Sequence, residues 1–512
     1  MMGIVPNEPK PQGLRLDELA RELPMPTEVA GDMAVRVRGV KHDSRAVRPG
    51  DLFVARRGEK ADGARFVADA VSRGAAAVLA ARGTLGEGAA VGVPLLLVDD
   101  PAVALGYAAS AVYGHPSFSL DVVGITGTNG KTTTAHLVRA AVDGALGRPS
   151  CGVLGTVGHS FDGWRADAEH TTPEADEVAW TMATMRARGA THVAMEVSSH
   201  ALELGRVRAV RFRVAALTNL TQDHLDFHGS MAAYAAAKAR LFTDLGPGTA
   251  VLDVDGEFGR ELVGRVKAPT VRVSARVGTD ADVVPRVARV DARGISATVR
   301  TPAGDVILSS RLVGAHNLEN LLLSLGIAHA LDLDLVRAAE ALSRETGAPG
   351  RLERCDVEGD DVTALVDYAH TPDALARVLD AARSITTGKV WCVFGGGGDR
   401  DASKRGAMGE AVARRADVCI VTNDNPRTEA PLAIAEAIVA GVRAAGKEPL
   451  VELDRRKAIA LAVRSASGGD VVLVAGKGHE DYQIVGTVKH PFDDRTETRL
   501  ALQARRNTRR RA

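Results

Sequence analysis

Short apolar runs recur along the chain, each followed by a polar or glycine-rich turn and then by residues at helical spacing. Runs of about four or five apolar residues without alternation predict strands buried on both faces, as in parallel sheets. In the first part, Val35–Val40, Leu52–Val54, Ala76–Leu79 and Leu95–Val98 predict the strands of a small α/β unit. In the middle part, Val122–Ile125, His192–Glu196, Val214–Thr218 and Ala250–Leu252 predict a mainly parallel sheet. The stretch Asp280–Val313 alternates instead and predicts an antiparallel insertion. In the last part, Ala364–Val366, Val390–Phe394, Val418–Val421 and Val471–Val474 predict strands. Helical segments at Ala411–Arg415, Ile434–Arg443 and Arg456–Arg464 separate them, which predicts a doubly wound, Rossmann-like domain. The expected fold class is α/β in three domains, 1–117, 118–348 and 349–512, with Gly114-His115-Pro116-Ser117 as the first linker.

Length and composition narrow the function classes. A chain of 512 residues suits about three domains. No apolar run reaches the roughly 18 residues of a membrane span, and Met1–Gln12 lacks the apolar core of a signal peptide. The 64 basic and 64 acidic residues cancel, which excludes a general polyanion binder and gives no reason to expect nucleic acid as a partner. The Arg505-Arg506 and Arg509-Arg510-Arg511 cluster is expected to be a solvated tail. Cys151, Cys355, Cys392 and Cys419 have no metal-ligand spacing and are expected to be reduced and structural, which fits a cytoplasmic protein.

The polar turns carry the chemistry. Gly127-Thr128-Asn129-Gly130-Lys131-Thr132-Thr133 joins an apolar strand to a helix. Backbone N–H groups at such a turn cradle phosphates, Lys131 adds a cation, and the hydroxyl of Thr132 or Thr133 can ligate Mg²⁺. The general phosphate-loop pattern has glycine where this chain has Ile125. Glu196 ends a predicted strand, where open α/β sheets place ligands, and can hold Mg²⁺; otherwise it caps a helix or pairs with a cation. Thr218 to Asp226 is a polar burst after another strand, in which His224 can ligate metal, donate to phosphate or orient Asp223. By pattern alone, Lys238 is an exposed helix lysine. Asp367 and His370 follow a strand and can orient substrate or move a proton, or form a turn before a helix that starts at Pro372. Gly395–Arg400, Thr422–Arg427 and Ala475–Asp481 end three strands of the last domain. They offer arginines for a carboxylate and Glu480 for an ammonium, a set that suits a zwitterionic amino acid.

Taken together these motifs resemble the Mur ligase family, of the MurE type, from about Val35 to Arg499. The loop Thr126-Gly127-Thr128-Asn129-Gly130-Lys131-Thr132 has the form this ligase superfamily shares. The resemblance implies ATP-dependent addition of diaminopimelate to UDP-N-acetylmuramoyl-L-alanyl-D-glutamate during peptidoglycan synthesis. It implies a UDP-sugar-binding role for the N-terminal domain, with Ser44 in Asp43-Ser44-Arg45, and a muramoyl-peptide site at Thr171, Thr172, Ser198 and Arg206. It implies Mg²⁺ at Glu196 and His224, and a carbamate on Lys238, which reverses the exposed-lysine reading. A carbamate forms from the neutral amine, which burial favours by lowering a pKa of about 10.4. Asn317 and Arg351 match ATP-contacting positions, with Asp367 beside them as a catalytic candidate. Arg400, Asp424, Asn425, Arg427, Gly476 and Glu480 match the diaminopimelate pocket, and Arg427 is the residue that lysine-adding relatives lack. Two departures are His316, where relatives usually carry Phe, and Gly396, where many carry Cys.

The reaction so implied passes through an acyl phosphate on the D-glutamyl carboxylate, with Lys131 and the loop N–H groups on the ATP phosphates. A monomer without a membrane span is expected. The competing readings are a Mur ligase for another amino acid, a folylpolyglutamate synthetase, a small-molecule kinase, and a nucleotide-binding protein without activity.

Overall fold

The fold was taken from a computed structural model, which describes residues 13–58, 62–85 and 91–509. The chain divides into two compact units. The first runs to Val284 and takes in Thr301–Ala303 and Leu322–Ala338; the second comprises Pro285–Arg300, Gly304–Leu321 and Ala339 onward.

Two sheets build the first unit. The smaller has five strands in the order Glu28–Ala30, Leu95–Val98, Ala77–Ala81, Asp51–Ala55 and Gly39–Lys41, parallel except for the first. The larger has eight, in the order Trp164–Ala166, Gly158–Phe161, Cys151–Gly155, His192–Glu196, Asp121–Thr126, Val214–Leu217, Thr249–Asp253 and Thr270–Val273. Its six strands from Cys151–Gly155 to Thr270–Val273 are parallel, as the unbroken apolar runs predict. Val122, Ile125, Val193 and Met195 are fully buried between helix layers, each stabilising the sheet by about 1.5–3 kcal/mol.

The two sheets share packing. Helix Pro101–Val112 lays Leu105, Ala108 and Ala109 against Ala175, Ala179 and Ala183 of helix Ala175–Ala187, in one apolar cluster. The segment expected as the first linker is packed: Pro116 and Ser117 are buried in the short helix Pro116–Phe118.

The second unit holds a sheet in the order Glu353–Arg354, Thr363–Asp367, Val471–Ala475, Val390–Phe394, Val418–Val421 and Leu450–Val451. All neighbours after the first pair are parallel, the expected doubly wound pattern. Its helices Pro431–Ala444 and Arg455–Ser465 contain the segments expected, while the helix at Ala411 is Lys404–Ala413 and stops before Arg415. Thr371 does cap the helix Pro372–Ser384, accepting from Ala374 N at 3.3 Å. The alternating stretch is a three-stranded sheet, Val284–Asp291, Gly294–Thr301 and Gly304–Ser310; its two-residue connections require antiparallel neighbours.

The arginine cluster near the end is not a free tail. Residues Asp494–Arg509 form a helix. Arg505 grips Asp361 through Nε and Nη2 at 2.9 and 2.7 Å and donates Nη1 to the carbonyls of Val463 and Ala466. Arg506 pairs with Asp360 and Arg509 with Asp361. Two adjacent carboxylates and open carbonyls anchor the helix, which the local charge run did not reveal. Arg510 and Arg511 lie outside the described residues. Among the described residues no helix is long and apolar enough to cross a membrane.

Candidate active site

In the first unit, register brings the loops together. Strand Asp121–Thr126 pairs Ile125 with Glu196 on one side and Thr126 with Leu217 on the other, so three strand ends reach one edge. Gly127 follows with φ 145°, and a Cβ there would collide with Thr218 Oγ1. The loop is held from the side: Thr128 N donates to Asn219 O and Asn129 N to Asn219 Oδ1, each at 3.0 Å. Thr218 Oγ1 donates to Asn129 O at 2.6 Å, and Thr128 Oγ1 to Thr221 O at 3.0 Å. Helix Lys131–Leu146 starts after Gly130, which is left-handed. Its N-terminal N–H groups and the Lys131 ammonium, within 2.8 and 3.0 Å of Gly127 O and Thr128 O, make an anion cradle.

Glu196 is buried beside that cradle. Its Oε1 accepts from Thr156 N at 2.8 Å; its Oε2 accepts from Thr132 Oγ1 at 2.9 Å and Thr156 Oγ1 at 3.1 Å. Gly155 makes room, because a Cβ there would overlap the carboxylate. Of the two threonine candidates, Thr132 is the one hydrogen-bonded to Glu196; Thr133 is buried in the helix. A carboxylate and a hydroxyl are hard oxygen donors of the kind that suits Mg²⁺. Among the described residues no group of three or more His, Cys, Asp or Glu side chains could hold a metal by itself.

The muramoyl-peptide candidates join the same network. Thr171 Oγ1 lies 3.1 Å from Thr156 Oγ1, whose own proton goes to Glu196, and Thr172 Oγ1 donates to the backbone of Glu196 at 2.9 Å and accepts from Ser198 N at 2.9 Å. Arg206 donates to Thr172 O at 3.0 Å and pairs with Glu174 at 2.8 Å. Glu174 also meets Arg56 of the smaller-sheet part at 2.9 Å, and Asp176 accepts from His42 at 2.8 Å. Burial disfavours the charged His42 ring, but Asp176 outweighs it and raises its pKa. Ser44 lies elsewhere in that part, buried in the short helix Ser44–Ala46 capped by Asp43.

Lys238 overturns its pattern reading. It is 1% exposed on helix Met231–Thr243, with Nζ donating to Gly127 O at 2.8 Å and lying 4.5 Å from the Tyr234 ring centre. Burial first, then the Lys131 charge, push its pKa well below the ordinary lysine value. Tyr234, Ala237, Lys238 and Leu241 are all buried, at positions i, i+3, i+4 and i+7 of one face; that spacing was the available signal. His224 precedes the turn Leu225–His228 with φ 51°, its ring 4.9 Å from His200 and 6.1 Å from Tyr234.

In the second unit, four loops leave one edge of the sheet, since Asp367 pairs with Ala475, Val393 with Val474 and Phe394 with Val421. Arg427 is left-handed at φ 51° and tied at both backbone groups to the hairpin Tyr482–Pro491: its N donates to Ile484 O and its O accepts from Gly486 N. Its Nη1 donates to Gly398 O at 2.8 Å, which fixes the guanidinium over the glycine-rich loop that carries the exposed Arg400. Asn425 Nδ2 donates to Glu480 Oε2 at 3.0 Å. Asp424 is buried against Gly476, whose Cβ would strike its Oδ2. Arg455, fully buried in a pair with Asp494 at 2.6 Å, donates to the carbonyls of Asn423 and Ala475.

Asp367 is buried, and both its oxygens are engaged: Leu352 N donates to Oδ2 at 2.7 Å and Ala369 N to Oδ1 at 2.8 Å. Burial raises its pKa, with nearby Arg351 working against the rise. Arg351 lies 5.0 Å from the Tyr368 ring centre. Asn317 is buried and donates to Val313 O at 2.9 Å, while its neighbour His316 is exposed. Sequence reasoning missed Thr156, Glu174, Tyr234, Arg455 and Lys477. Thr156 follows a strand, Cys151–Gly155, that two glycines in five residues obscure.

Three family models match the chain: the Mur ligase family catalytic domain over residues 36–113, the Mur ligase middle domain over 125–328, and the Mur ligase glutamate ligase domain over 350–478. A relative from Streptomyces coelicolor, named UDP-N-acetylmuramoyl-L-alanyl-D-glutamate–2,6-diaminopimelate ligase, is 44% identical over 503 residues, covering 97% of this chain and 99% of the relative. One of the same name from Pseudomonas aeruginosa is 45% identical over 468 residues, covering 91% and 95%. A solved structure of a ligase of that name is similar with a TM-score of 0.70 at 31% identity, covering 97% of this chain and all of that one.

Proposed function

The chain belongs to the Mur ligase family, and from that premise we propose the reaction it performs. It is an ATP-dependent ligase that joins diaminopimelate to the D-glutamyl carboxylate of UDP-N-acetylmuramoyl-L-alanyl-D-glutamate in peptidoglycan synthesis. The observation that carries the amino-acid half is the pocket in which Arg427 and Glu480 are fixed on loops joined through Asn425. A cation and a carboxylate so held match the distal carboxylate and ammonium of diaminopimelate.

In this reading the loop N–H groups and Lys131 bind the ATP phosphates. Thr171, Thr172, Ser198 and Arg206 orient the muramoyl peptide, whose carboxylate oxygen attacks the γ-phosphorus as ADP leaves. The amine of diaminopimelate then attacks the acyl carbon; phosphate departs and the ammonium proton is lost. Positioning and neutralisation of charge supply most of the catalysis. Glu196 and Thr132 would hold Mg²⁺, which when bound neutralises phosphate charge. The lowered pKa of Lys238 supports carbamate formation, since the free amine is the form that takes up CO₂; the resulting anion and His224 would hold a second ion.

Phosphate release from ATP, measured with UDP-muramoyl-dipeptide and either diaminopimelate or L-lysine, tests the reading. Release with diaminopimelate alone is expected; release with lysine keeps the ligase and overturns the pocket, and release with neither overturns both. Glu196→Gln is expected to raise the Mg²⁺ concentration for half-maximal rate by about 10- to 100-fold. An unchanged Mg²⁺ titration would remove Glu196 as ligand.

A further inference from the structure

Lys477 has no role in the reaction as described, yet it is one of the most deeply buried charged side chains in the protein, with no exposed surface. Its Nζ lies 3.0 Å from Asn425 Oδ1, 3.3 Å from Glu480 Oε2 and 3.6 Å from Asp424 Oδ1. A buried ammonium is tolerated only where acceptors replace its water, and here all three belong to the amino-acid pocket.

Two consequences follow from those contacts. The first is orientation. Asn425 Oδ1 accepts from Lys477 and from Ile484 N at 2.9 Å, both of which are donors only. A flipped amide would put its NH₂ against an ammonium and an N–H, so Nδ2 must face Glu480, where it donates to Oε2 at 3.0 Å. Glu480 is therefore pinned through Oε2, and among the described residues no hydrogen bond is formed to its Oε1. The second is charge. Asp424 and Glu480 bring two negative charges and Lys477 one positive, a net of −1, while Arg455 and Asp494 cancel. A net of −1 matches one substrate ammonium.

We propose that Lys477 is a positioning residue: it locks the Asn425 amide, turns Glu480 Oε1 toward the substrate ammonium, and leaves the Asp424–Glu480 end of the pocket a single negative charge. This rests on the diaminopimelate-ligase reading above. With a neutral residue in its place, two close carboxylates repel, Asn425 is free to flip, and the ammonium site loses its geometry, while the ATP cradle in the other unit keeps its own partners.

The test is steady-state kinetics and thermal melting of the full-length Lys477→Met, Glu480→Gln and double variants, with wild type as control. Lys477→Met is expected to raise the KM for diaminopimelate by about 10-fold or more and leave the KM for ATP within about twofold. The double variant is expected to be no worse than Glu480→Gln alone, because the two side chains act as a unit. If Lys477→Met lowers the melting temperature, adding Glu480→Gln is expected to restore it by removing the unbalanced carboxylate. Additive losses, a fall in kcat at unchanged KM, or a melting temperature that the second substitution does not restore would each overturn the proposal. Wild-type enzyme that releases no phosphate with diaminopimelate would instead overturn the reading on which it rests.

Discussion

Replacing Lys238 by Ala is expected to lower phosphate release by about 10²- to 10³-fold, the loss typical of removing one preorganised group that stabilises developing charge. In the proposed reading this lysine is suited to modification by its surroundings. Its Nζ donates to Gly127 O and faces the Tyr234 ring, too few partners to favour a buried ammonium, and the Lys131 charge adds to the burial effect. The free amine can add CO₂ and present two carbamate oxygens beside the phosphate loop. The alanine leaves space there, so acetate or formate in the buffer is expected to restore part of the activity by supplying the missing oxygens. The measurement is phosphate release against carboxylate concentration, with a melting curve to confirm folding. Near-normal activity without added acid would end the carbamate assignment.

Arg427→Ala is expected to raise the KM for diaminopimelate by about 10- to 100-fold, which corresponds to about 1.5–3 kcal/mol for a charged hydrogen bond. The KM for ATP is expected to stay unchanged. Arg427 is preorganised at a cost: a left-handed φ of 51°, both backbone groups bonded to the hairpin, and Nη1 on Gly398 O. Such strain persists only where surroundings fix it, so little freedom remains to be lost on binding. Discrimination against lysine is expected to shrink together with affinity, because the unpaired guanidinium that penalises lysine is gone. Equal rises in both KM values would remove Arg427 from the pocket.

Much of the candidate site is legible in the sequence for a local reason. A strand buried on both faces declares itself by an unbroken apolar run, and the functional loop begins where the run ends. Val390–Phe394 and Val418–Val421 were legible to the residue, and the loops after them carry Arg400 and Arg427. Hidden elements were those whose pattern is too short or interrupted, such as Cys151–Gly155 and the hairpin Tyr482–Pro491. The first holds Thr156 near Glu196; the second sets the backbone of Arg427.

The sequence by itself determined the α/β class, the three sets of strands, the glycine-rich loop before Lys131 and the residue types gathered at strand ends, because each is written in a few neighbouring residues. Tertiary structure decided which side chains are buried and what they meet. Lys238 reads as a surface lysine until Gly127, 111 residues away, closes over it. Arg505 reads as a tail until Asp361, 144 residues away, holds it. Thr132 rather than Thr133 faces Glu196 because of how the helix is turned on the sheet, and Lys477 becomes part of a pocket only when Asp424, Asn425 and Glu480 surround it. Burial and charge balance are sums over distant segments, and no local pattern encodes them.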